Sequence, residues 1–191
     1  SLVVSTCVFS LLLLGGSIAL MPDWPILWLR QVADYPSYTA IGSPVSIVGQ
    51  AFPFSDWVAR ILSAVFLIGM VVEWSLARGR EGLWFRWTAS LTLVITNLVA
   101  FRTATTNYVV LLPVLVLLLQ IWSDRWGRRG TVLGLGVLAL LFVGLWGLFL
   151  LTIEGNVESA AVYLPLPFLL LLGLWWNRWW ATSRPRLLDP A

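Results

Sequence analysis

The sequence predicts an all-α membrane protein of about six transmembrane helices. Of the 191 residues, 59% are hydrophobic and 11% charged, whereas a soluble domain carries about 25% charged residues. Charges this sparse leave apolar runs of about 18 residues or more, the length that crosses ~30 Å of hydrocarbon. The charges that remain are sorted: arginines gather in alternate connections between the runs. Within lipid the backbone must satisfy its own polar groups, so each run is expected to be a helix. The alternation of a membrane β-strand is absent from them.

Taken in order, the expected spans are residues 1–21, 57–77, 83–101, 108–122, 131–153 and 160–176. The first begins at Ser1 with no basic segment before it, unlike a signal peptide. We read it as a span of a longer chain, of which these residues form the C-terminal part. Residues 22–56 then form an external segment, and 177–191 a tail. In PDWPILWLRQVADYP, an Asp and a Pro open a helix on which Trp24, Leu27, Trp28 and Val32 share one face. That helix is expected to lie in the interface plane. VSIVGQAFPF is too short to span; re-entry into the membrane and cover for a cavity both remain open for it.

Arginine sets the orientation. All twelve basic residues are arginine, with no lysine and no histidine. Nine of them (78, 80, 86, 125, 128, 129, 178, 184 and 186) flank the second and fourth connections or follow the sixth span. Only Arg30, Arg60 and Arg102 fall on the other side. The positive-inside rule makes the arginine-rich side cytoplasmic. The chain is then an inner (plasma) membrane protein with both ends cytoplasmic. Most of the 13 tryptophans, Trp74, Trp84, Trp87 and Trp122 among them, fall at predicted span ends and read as an aromatic belt.

Composition excludes several function classes. The arginines form no basic stripe interleaved with aromatics, so nucleic acid is not an expected partner. Cys7 stands alone, so neither a disulfide framework nor a zinc cluster forms within the chain. The commonest metal ligand and general base, histidine, is missing. No cofactor is implied, with a divalent metal left open. The connections on the arginine-rich side are too short for a soluble catalytic domain. Any chemistry would sit at the outer interface or inside the bundle.

The strongest candidate site is the hairpin ITNLVAFRTATTNYVVLLP. Arg102 lies on the arginine-poor side among Thr103, Thr105, Thr106 and Asn107. A guanidinium with neighbouring hydroxyls and helix-start amides suits a phosphate or pyrophosphate headgroup. The competing reading is an arginine that snorkels to lipid headgroups while Thr106 or Asn107 caps the next helix. Thr88, Thr92 and Thr96 recur every four residues beside Asn97 and read first as packing polar groups between helices. Gly130, Gly134, Gly144 and Gly147 read as close-packing faces. The external acids Asp23, Asp34, Asp56, Glu154 and Glu158 are potential bases or metal ligands, and more ordinarily solvated carboxylates.

The stretches PDWPILWLRQVADYPSYTAIGSP and NLVAFRTATTNYVVLLP resemble the C-terminal half of the glycosyltransferase 87 family, which are polytopic enzymes of the GT-C type. The resemblance covers residues 20–125 and extends more loosely over the rest. It implies a GT-C-like bundle fragment and hexosyl or mannosyl transfer on the outer face from a polyprenyl-phosphate sugar. Arg102, Thr103, Thr106 and Asn107 would meet the donor phosphate, and Tyr35 and Tyr38 would shape the sugar or acceptor site. The catalytic aspartate of such enzymes is expected upstream of Ser1, which would leave the isolated chain inactive. The expected partners are membrane lipids and the lipid-linked donor. A transporter or permease subunit, or a non-catalytic membrane protein, is the alternative.

Overall fold

A computed structural model describes residues 2–38, 42–100, 105–153 and 159–182. Among them every regular element is helical. Four helical stretches are long and apolar enough to cross a membrane: Ser55–Leu76, Tyr108–Trp126, Arg128–Thr152 and Ala160–Thr182. The N-terminal pair of helices, bent by 99° at its break, raises the number to five if it counts as one span. The expected all-α membrane architecture is therefore present, and about six spans becomes four to five by length and composition.

The chain divides into two compact units, Ser1–Ala40 and Ile41–Ala191. The first holds α1 (Leu2–Leu20) and α2 (Trp24–Tyr38). Pro22 falls at the break, where it has no amide to continue the helical ladder. The Leu27 amide bonds the Asp23 carbonyl and starts α2. Helix α2 covers the amphipathic stretch expected to be helical, with Leu27, Trp28 and Val32 exposed.

The second unit holds α3 (Pro44–Gly49), α4 (Ser55–Leu76), α5 (Leu83–Val99), α6 (Leu112–Trp126), α7 (Arg128–Thr152) and α8 (Pro165–Thr182). Short 3-10 segments at Thr105–Leu111 and Ala160–Tyr163 precede α6 and α8. Helix α5 is the centre. At 17 residues it spans ~25 Å, the lower limit for a membrane helix. Trp87, Leu91, Val94 and Leu98 recur at helical spacing on it and are buried with Thr88, Ile95 and Asn97. Helices α4, α6 and α8 surround it. Each offers a stripe: Ala59, Leu62, Phe66 and Met70 on α4, Val114, Leu117 and Ile121 on α6, and Leu166, Leu170 and Leu174 on α8. The opposite face of α4, with Ile61, Val65 and Ile68, is exposed apolar surface, as a lipid-facing side would be.

Three boundaries differ from the sequence reading. SDRWGRRG is not a loop: α6 runs through Trp126 and α7 starts at Arg128, with Gly127 alone between them. Gly127 sits at φ 54° and ψ −133°, a backbone state open mainly to glycine. Gly130 then lets α7 fold back closely on α6, because a Cβ there would strike the Trp122 carbonyl. The tail expected from 177 starts later, since α8 continues to Thr182. The external segment ends at 54, where Phe54, at φ 65°, opens α4.

The interior is tied by polar contacts that spacing does not reveal. Trp87 Nε1 donates to the Leu174 carbonyl at 2.9 Å, and the indole is fully buried between α5 and α8. It belongs to the core rather than to an aromatic belt. Trp74 Nε1 donates to Thr92 Oγ1 at 2.8 Å. Thr88 and Thr92 bond back to Trp84 and Thr88 carbonyls, which satisfies their hydroxyls inside the bundle. Thr96 is exposed, so the threonine series serves packing only over its first two members. Arg178 of α8 grips Glu73 of α4 through Nε to Oε1 at 2.7 Å and Nη2 to Oε2 at 3.2 Å. The Glu73 side chain is nearly buried and Arg178 is one-third exposed. An acid inside an apolar helix needs such a partner.

Candidate functional site

The second unit has two unlike ends. At one, the connection 77–82, Gly127 and the end of α8 carry the arginines. At the other lie 50–54, Ala100, Thr105 and Ile153, with Arg60 on the second turn of α4. The described part of the candidate site, the 3-10 segment from Thr105, belongs to this end.

Short helical segments build that end. In α3, Ser43 Oγ accepts the Ser46 amide at 3.3 Å, and Pro44 follows at the first helical position. This caps a six-residue helix that is too short to persist without packing. Packing comes from Val45, which is fully buried, and from Gly49, where a Cβ would stand 2.8 Å from the Ser55 carbonyl. The start of VSIVGQAFPF thus packs as α3 against the first turns of α4 and against α5.

The 3-10 segment Thr105–Leu111 leads from the hairpin into α6. Its Tyr108 hydroxyl donates to the Val162 carbonyl at 3.3 Å, and the Tyr108 ring meets the Tyr163 ring edge-on at 6.5 Å. Val162 and Tyr163 are buried in the second 3-10 segment, which Ser159 caps by accepting the Ala161 amide at 3.3 Å. The connection before α6 is thus fastened to the connection before α8, across 54 residues of sequence. On the last turn of α5, Asn97 is buried and its Oδ1 has no hydrogen-bond partner. A buried amide oxygen left unpaired costs about 1–3 kcal/mol.

The predicted site residues fall as follows. Arg102 and Thr103 lie outside the described residues. Thr106 and Asn107 are on the 3-10 segment, immediately before the anchored Tyr108. Tyr35 and Tyr38 are at the C-terminal end of α2, in the first unit. Asp23, Asp34 and Asp56 are exposed, while Glu154 and Glu158 lie outside the described residues. No cluster of three metal-ligating side chains occurs among the described residues. Asn97 and Tyr108 are what the reading of Arg102 left aside. The signal for Asn97 was present, as an amide between apolar residues near a helix end. Tyr108 gave none, because its partner is a backbone carbonyl.

No protein-family model, curated protein or solved structure matches the chain.

Proposed function

We propose that this chain is part of a membrane glycosyltransferase that moves a hexosyl group from a polyprenyl-phosphate sugar at its arginine-poor end. The reading places that end on the outer face of the inner membrane. One observation supports it: Thr106 and Asn107 immediately precede Tyr108, which is fixed to Val162 and Tyr163. A binding group positioned by a rigid neighbour loses less entropy on engaging its ligand.

Transfer breaks the bond between the sugar C1 and the phosphate oxygen and forms one from C1 to an acceptor oxygen. The acceptor proton passes to a base, a role not assigned to a residue of this chain. The leaving lipid phosphate gains one negative charge as the bond breaks. A guanidinium at that oxygen, in a site of low dielectric, stabilises the charge where it develops. Arg102 takes this role, with Thr103, Thr106 and Asn107 as neutral donors to the phosphate.

The test is transfer by the full-length gene product in membranes supplied with polyprenyl-phosphate mannose or glucose. Arg102→Ala is expected to reduce transfer by about 100-fold or more, the effect of losing one charge-stabilising donor, with membrane insertion unchanged. Unchanged transfer by a normally inserted variant rejects the role of Arg102. Absence of transfer by the parent protein with either donor rejects the reading.

A further inference from the structure

A second feature lies at the opposite end of the same unit and is independent of the reading above. Between α5 and α6 the bundle has an open groove of about 340 Å³. It is lined by Ala89, Ser90 and Leu93 on one side and by Pro113, Val116 and Leu117 on the other. Ala89 and Ser90 are small, so the helices leave a gap where larger side chains would have met. The groove runs from Arg86 and Gln120 to Leu93 and Pro113. That is seven residues of helix, or ~10 Å, about a third of a ~30 Å hydrocarbon core.

The two ends of the groove differ. Arg86, at the arginine-rich end, donates from Nη1 to Gln120 Oε1 at 3.4 Å. Among the described residues no carboxylate lies within 4.0 Å of its guanidinium. Most of its N–H donors are therefore unused. Ser90, one turn further in, is 6% exposed, and its hydroxyl has no hydrogen-bond partner among the described residues. Beyond Ser90 the walls are apolar. An uncompensated cation leading into a narrow apolar slot complements a molecule with an anionic head and a hydrocarbon chain. A hydrocarbon chain lying along these ~10 Å of α5 and α6 would cover the apolar walls within one leaflet.

We infer that the α5–α6 groove holds one acyl chain of an anionic phospholipid, with its phosphate on Arg86. The head stays at the membrane surface beside the arginine-rich connections, and the chain enters one leaflet only. Arg86 holds the phosphate by charge-assisted hydrogen bonds, Gln120 sets the guanidinium plane, and Ser90 donates to the glycerol ester.

Native mass spectrometry of the full chain, titrated with dioleoyl phosphatidylglycerol or dioleoyl phosphatidylcholine, tests this. The expected result is one tightly bound phosphatidylglycerol, preferred over phosphatidylcholine. Arg86→Gln should weaken phosphatidylglycerol about tenfold, equivalent to ~1.4 kcal/mol, and remove the preference. Ala89→Leu, which fills the slot, should weaken both lipids. Inorganic phosphate at millimolar concentration should not displace the bound lipid. Equal binding of both lipids by the parent, or unchanged binding in both variants with helicity retained, overturns the inference. So does displacement by inorganic phosphate, or a stable dimer whose formation Ala89→Leu blocks.

Discussion

Helices α5 and α7 are both apolar, yet they are built for different surroundings. Helix α5 buries eight of its 17 residues. Helix α7 buries two of its 25, and both are glycines. Its leucines, valines and phenylalanines are largely exposed, Leu140 by 72% and Leu151 by 86%. A lipid-facing surface costs an apolar side chain nothing, so burial in such a protein follows from shape and polarity rather than from hydrophobicity. Helix α5 carries threonine, asparagine and an indole N–H inward: the Thr88 and Thr92 hydroxyls donate to carbonyls of α5 itself, and the Trp87 indole donates to α8. Helix α7 turns its two buried residues, Gly130 and Gly134, towards α6.

The largest effect should come from tryptophan exchanged at matched positions. Trp87 is fully buried and bonded to Leu174, whereas Trp146 is 52% exposed and, among the described residues, meets the rings of Phe142 and Phe149 of its own helix edge-on. Trp87→Ala should lower the unfolding free energy by about 3–5 kcal/mol, and Trp146→Ala by no more than about 0.5 kcal/mol. Detergent-to-SDS titrations read both. Equal losses would break the distinction between the two helices.

A smaller contrast separates the glycines within α7. A Cβ on Gly130 meets the Trp122 carbonyl, a backbone atom with no room to rotate away. Gly130→Ala should cost about 1–3 kcal/mol through overpacking. Gly144 has nothing within 4 Å, so Gly144→Ala should be neutral or stabilise by up to about 1 kcal/mol through helix propensity. The same titration sharpens the comparison: a penalty at Gly144 would mean that the exposed face of α7 packs against something other than lipid.

Much of the fold is legible in the residues themselves, for a simple physical reason. Hydropathy over about 20 residues reports the solvent of a segment, and the expected spans overlap α4 through α8, with ends that differ by up to six residues at α8. It does not report which side of a helix meets a neighbour. Trp87 and Trp84 lie at the same kind of span end as the interfacial tryptophans, and only the Leu174 carbonyl distinguishes Trp87 as core. The Glu73–Arg178 pair joins residues 105 positions apart, beyond any local pattern. The turn at Gly127 was hidden by three arginines and an aspartate, whose polarity suggests a loop although both flanks are helical. At the candidate site, Thr106 and Asn107 fall on the 3-10 segment before α6, and Arg102 and Thr103 lie outside the described residues. The residue pattern missed the fastening of Tyr108 to Val162, because a hydrogen bond to main chain leaves no mark on the partner's identity.

The central claim is that apolar helices cross the bilayer and leave the connections 77–82 and 100–107 on opposite sides. Single cysteines at Thr103 and Glu81, in a Cys7→Ser background, test it with a membrane-impermeant maleimide on intact cells. Thr103→Cys is expected to label from outside, and Glu81→Cys only after the membrane is opened. The reverse pattern, or equal labelling of both in intact cells, would contradict the account.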